Sequence, residues 1–121
     1  MTDKFREREL SEEAKFKLDE ERRFKAEARR DKLLGLWAAA KMGMVEAEAE
    51  AFAREVVISD LEEPGDRDVV RRVLREFAAR GSEIGEDEVR TEMGRLYALA
   101  LEQLAEEYPT PLGPDHGRVG D

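Results

Sequence analysis

Side chains that commonly carry chemistry are sparse in this chain of 121 residues. It has no cysteine and a single histidine, His116. His116 stands among prolines and glycines near the C-terminus, so no nucleophile–histidine–acid triad and no multi-histidine metal site is expected. No Gly-Lys-Ser/Thr sequence marks a phosphate loop. The acidic run Glu86-Asp87-Glu88 lacks the alternating carboxylates and central glycine of a calcium loop. It reads instead as a helix start, where acids suit the positive end of the dipole. Charged residues are 42% of the chain, so neighbouring carboxylates carry no weight as an acid/base pair. Two arginine pairs, Arg29-Arg30 and Arg71-Arg72, have the guanidinium forks that grip phosphate. Weak ADP or ATP binding is therefore the one small-molecule reading to test. Each pair sits among acids, which more often means surface ion pairs. No catalytic residue, metal or required cofactor is expected, and the chain is not expected to be an enzyme.

The elements that would position any site are helical. Residues 1–24 contain no Gly or Pro and are rich in Glu, Lys, Arg and Ala, all good helix formers. Their apolar residues form no single stripe at 100° per residue: Leu10, Ala14 and Leu18 align, while Phe5, Phe16 and Phe24 point elsewhere. A helix polar nearly all round does not pack firmly on its own domain. Residues 1–20 therefore read as a mobile arm of nascent helix ordered by a partner, or as a solvated extension of the helix that follows. From Phe24 to about Met42 the pattern tightens towards a core anchor, Trp37, and Gly43 is the expected stop. A second helix is expected from about Glu46 to Leu61, with Val45, Ala49, Phe52, Val56 and Ile58–Leu61 inward. Pro64-Gly65 breaks it, and Asp66 is placed to cap a third helix. In that helix Val69, Val70, Val73, Leu74, Phe77 and Ala78 share a face, and Gly81 closes it. Val89, Met93, Leu96, Tyr97, Ala100 and Leu104 hold a fourth helix to about Tyr108. Residues 109–121, with three prolines and three glycines, read as a disordered tail. The expectation is an all-α protein: an arm (1–20), a small four-helix bundle (21–108) and a flexible tail (109–121).

Charge and hydropathy narrow the partners. The formal net charge is −9, which argues against nucleic acid, since phosphates need a basic face. The charge is unevenly spread. Residues 1–32 carry 11 Lys and Arg against 10 Asp and Glu, whereas the remainder carries 10 against 20. A balanced, densely charged arm on an acidic body suggests two regions with two roles. No apolar run reaches membrane-spanning length, no secretory h-region follows Met1, and the arm lacks the apolar face of an interfacial helix. No heptad is sustained, so no coiled coil is expected. A cytoplasmic protein, monomeric when free and acting on a partner protein, is the reading that composition supports.

The arm and first helix also resemble a known family. Phe5-Arg6-Glu7-Arg8-Glu9, Glu13-Ala14-Lys15-Phe16, and Phe24-Lys25-Ala26-Glu27-Ala28-Arg29-Arg30-Asp31-Lys32-Leu33-Leu34-Gly35-Leu36-Trp37-Ala38-Ala39 are similar to the ATPase inhibitor subunit zeta family of alphaproteobacteria. So are Val56 to Gly65 and Asp68-Val69-Val70. The likeness runs from about Met1 to Glu107. The most specific stretch is that around Gly35 and Trp37, whose spacing helix propensity does not demand. The resemblance implies a four-helix bundle that blocks ATP hydrolysis by the F-type ATP synthase. It further implies an N-terminal segment inserted in the catalytic head, where the α and β subunits meet the rotor subunit γ. Phe5, Arg6, Arg8, Ala14, Lys15, Phe16 and Lys17 fall on that segment. Bound, the protein would lie at the inner face of the membrane. A generic helical adaptor, or a nucleotide-responsive regulator with another partner, is the alternative.

Overall fold

The computed structural model describes the backbone of residues 2–62 and 65–107, and the side chains of residues 19–62 and 65–107. Four α-helices follow one another: α1 (Thr2–Lys41), α2 (Glu46–Glu62), α3 (Arg67–Ala79) and α4 (Glu86–Glu107). The arm and the first bundle helix are thus one continuous element in this structure. The tail residues 109–121 lie outside the described residues.

Two glycines end helices as their sequence positions predict. Gly43 has φ 72° and Gly81 φ 75°. At Gly43 the Met44 amide donates to the Ala39 carbonyl at 3.0 Å and the Gly43 amide to Ala40 at 3.2 Å. At Gly81 the Ser82 amide donates to Phe77 at 2.9 Å and the Gly81 amide to Ala78 at 3.0 Å. Both are Schellman closures, in which a left-handed residue lets the chain turn back and satisfy the last carbonyls. Asp66 does hold the N-cap position of α3, but its side chain makes no capping bond. Its carboxylate lies 3.7 Å from Arg90 of α4 instead.

The core lies between all four helices. Leu34, Ala38 and Ala39 of α1 meet Phe52 and Val56 of α2, Val69, Val73 and Phe77 of α3, and Met93 and Leu96 of α4. A smaller cluster, Ala26 with Ala100, Leu104 and half-buried Tyr97, joins α1 to the far half of α4. These pieces bury apolar surface that none of the helices could cover alone, which is the main force holding the bundle.

Four core expectations need correction. Trp37 is half-buried, packed at the edge of the core with its ring 5.9 Å from Phe77 and nearly perpendicular to it. The Lys41 ammonium covers another part of the indole, 5.5 Å from the ring centre. Val45, Ile58 and Leu61 are exposed rather than inward. Val45 lies in the α1–α2 connection, where its carbonyl starts α2 by accepting the Ala49 amide. In α2 the buried stripe of Phe52, Ala53 and Val56 continues at 100° per residue through Asp60, leaving Ile58 on the opposite face and Leu61 at the side.

Candidate functional site

The bundle releases α1 at a definite point. From Asp19 to Lys25 every side chain is exposed, and Ala26 is the first buried residue of α1 among the described side chains. Just inside that point Arg29 is tied to Glu107, the last residue of α4: one guanidinium nitrogen donates at 2.8 Å and a second makes a shorter contact. The Arg29 cation holds the Glu107 carboxyl below its ordinary range. Before Ala26, α1 continues to Thr2, roughly 36 Å of helix at the usual rise per residue. Phe5, Arg6, Arg8, Ala14, Lys15, Phe16 and Lys17 all belong to this part of α1 by backbone. Their side chains lie outside the described residues.

The arginines read as phosphate candidates are not brought together. Arg29 faces α4. Arg30 is buried, donating to Asp31 Oδ1 from Nε at 3.0 Å and from Nη2 at 2.9 Å. Its guanidinium also lies 3.6 Å from Asp60 and 5.9 Å from the Tyr97 ring centre. Arg72 bridges α2 and α3, pairing with Glu55 and, at 3.1 Å, with Glu76, while its guanidinium stacks 5.0 Å above Phe52. Arg80 extends the network to Glu76 at 3.2 Å and Glu48 at 3.0 Å. Burial raises the Glu76 carboxyl, but hydrogen bonds from Arg72 and Arg80 outweigh it and hold the group below its ordinary value. Arg71 alone of the four is exposed, beside Arg75 in a shallow groove that also includes Ser59, Glu62 and Asp68.

Asp31 was not legible as a special position, yet it is the most perturbed acid among the described residues. Its side chain is wholly buried, and Oδ2 has no hydrogen-bond partner among standard donors. Burial pushes its pKa up first, the neighbouring Asp60 adds to this as an acceptor for the protonated form and as a like charge, and Arg30 opposes; the outcome is about 8. The signal that could have found it is periodicity. Asp31 falls on the same face as Leu34, Gly35 and Ala38, at i+3, i+4 and i+7.

Among the described residues, no three carboxylates or histidines gather as a metal site, and no helix is long and apolar enough to cross a membrane. What the geometry defines is a small helix bundle mounted on one end of a long, charged helix. Residues 1–103 match the family model described as ATPase inhibitor subunit zeta. A chain solved by solution NMR is 48% identical, with a TM-score of 0.61, over 69% of this chain and 95% of that one. None of the curated proteins matches. The chain belongs to the ATPase inhibitor subunit zeta family. Its role is accordingly regulatory and non-catalytic, an inhibitor acting on the ATP synthase.

Proposed function

We propose that the N-terminal half of α1 is the inhibitory element, inserted into the catalytic head of the F-type ATP synthase where α and β subunits meet the rotor subunit γ. The single observation that carries this reading is that α1 runs on as backbone helix to Thr2, ahead of a stretch of exposed side chains from Asp19 to Lys25 that precedes buried Ala26. A charge-dense helix of this kind gains little by folding onto its own body. In a cleft it buries Phe5 and Phe16 and pairs Arg6, Arg8, Lys15 and Lys17 with carboxylates, while Ala14 allows close approach. Each buried phenylalanine contributes about 1.5–3 kcal/mol, against an ordering cost of a few kcal/mol for a segment that becomes fixed on binding. In this reading residues 1–20 are the arm, mobile until they meet the partner, and the bundle is the bulk that obstructs the rotor. The protein acts as a cytoplasmic monomer, docked at the inner membrane face when bound.

The test is ATP hydrolysis by a purified alphaproteobacterial F-type ATPase head. The full chain is added in one arm and a version lacking the first 18 residues in the other. Inhibition by the full chain alone supports the arm as the active element. Equal inhibition by both moves the active surface to the bundle. Inhibition by neither returns the protein to the adaptor reading, and a pull-down from native extract then identifies its partner.

Weak ADP or ATP binding is a second reading, favoured by one observation: exposed Arg71 lies beside Arg75 and Ser59 between α2 and α3. Backbone amide shifts in that groove at millimolar ATP would support it, and their absence would remove it.

A further inference from the structure

The point at which α1 leaves the bundle holds more buried acid than its cation can neutralise. Asp31 of α1 and Asp60 of α2 share one guanidinium, that of Arg30. Asp31 Oδ1 receives both Arg30 bonds, leaving Oδ2 buried without a donor. Asp60 is itself largely shielded, its side chain 16% exposed. Two ionised carboxylates and one guanidinium would leave a net buried negative charge and an unsatisfied oxygen, both costly in a shielded site. A single proton resolves both at once, because a protonated Oδ2 becomes a donor and Asp60 is the acceptor in reach.

We propose that Asp31 and Asp60 share one proton, and that this proton latches α1 to α2 at the end of the bundle from which the long half of α1 departs. The groups facing the pair come from three elements. On α1 they are Arg30 and, lining the adjoining groove, Glu27; on α2 the facing group is Asp60; on α4 Tyr97 packs against the Arg30 guanidinium. The charges acting on Asp31 itself are those of Arg30 and Asp60. Beside the pair lies a groove of about 340 Å³ whose apolar lip is formed by Phe24, Ala28, Val57 and Leu61. Loss of the proton sets two like charges against each other beneath that groove. The low-energy response is for α1 and α2 to part there and admit water to the pair. The latch is closed in acid and open in alkali.

The pKa of about 8 assigned by burial and by Asp60 agrees in direction. A folded-state value raised above the ordinary 3.8 means that the stabilisation is complete below about pH 4, declines as pH rises, and is lost above about 8. His116 is the only histidine of the chain.

The experiment follows the Asp31 side-chain carboxyl carbon by NMR in the full-length protein between pH 4 and 9, with a parallel melting series. The expected midpoint for Asp31 lies above 7, and Asp60→Asn, which removes the facing charge and offers an amide donor, lowers it by about one unit or more. Asp31→Asn, a mimic of the protonated acid, should abolish the fall in melting temperature between pH 5 and 8.5. An Asp31 midpoint below 5 overturns the proposal, as does a fall in melting temperature that persists in Asp31→Asn. If that variant does not fold, the wild-type carboxyl titration decides alone. None of these readouts involves the ATPase, so the latch and the inhibitory role succeed or fail separately.

Discussion

Gly35 of α1 lies directly against Ala53 of α2, so close that a Cβ at position 35 would fall 2.6 Å from the Ala53 Cα and 3.3 Å from a Val56 methyl. The obstacle is backbone, which cannot swing aside as the end of a side chain can. The α1–α2 contact therefore depends on the missing methyl group. Gly35→Ala gains up to about 1 kcal/mol of helix propensity, yet forcing the helices apart costs about 1–3 kcal/mol or more. The net expectation is a lower melting temperature, by roughly 4–8 °C per kcal/mol lost. A rise on thermal denaturation would show that α1 and α2 can separate freely.

Trp37→Ala tests the edge of the core. A fully buried aromatic costs about 3–5 kcal/mol on truncation. Trp37 is half-buried and edge-on to Phe77, so a smaller loss, about 2–3 kcal/mol, is expected. Phe77→Ala, at a fully buried site, should lose more, about 3–5 kcal/mol. Chemical denaturation of the two variants side by side gives the order, and the reverse order would mean that Trp37 is the true anchor.

Phe16→Ala separates inhibition from folding. If Phe16 is an anchor in the catalytic head, its loss removes about 1.5–3 kcal/mol of binding, or roughly 10–150-fold in inhibitory potency. Melting of the bundle should be unchanged, because the exposed stretch Asp19 to Lys25 separates Phe16 from buried Ala26. A lowered melting temperature with full inhibition would place Phe16 in the fold instead.

Stability should peak in mild acid, near pH 5. Glu76 titrates below its ordinary 4.5, because Arg72 and Arg80 outweigh its burial. Its contribution is present above that ordinary value and is lost as pH falls through the lowered one. Asp31 acts in the opposite sense, its contribution declining from about pH 4 to about 8. Melting temperatures taken from pH 3 to 9 should rise and then fall. A plateau from pH 5 to 9 would mean that Asp31 is ionised throughout. Glu76→Gln should flatten the acid limb alone.

The bounds of α2, α3 and α4 were legible in the sequence to within a residue or two. Local chemistry sets them: Gly43, Gly65 and Gly81 all take positive φ at the ends and turns between helices. The four-helix arrangement followed from short connections and from apolar stripes in need of cover. The special pairing of glycine and tryptophan in the first helix was visible, though not its purpose, since propensity alone never asks for Gly35.

Composition by itself determined that this chain is helical and that an evenly charged segment precedes an acidic body. Those properties belong to single residues and their spacing. Which arginine is spent inside the fold is a different matter, because it depends on what the facing helix presents. Tertiary structure alone gave Arg29 to Glu107, Arg72 to Glu55 and Phe52, and Arg30 to two aspartates at once. It also turned Ile58 and Leu61 outward and Asp60 inward, since the angle at which α2 meets α1 selects the buried face. Asp31 shows the limit most sharply. In sequence it is one of 30 acids, and only the closing of α2 over α1 removes its water and makes its proton matter.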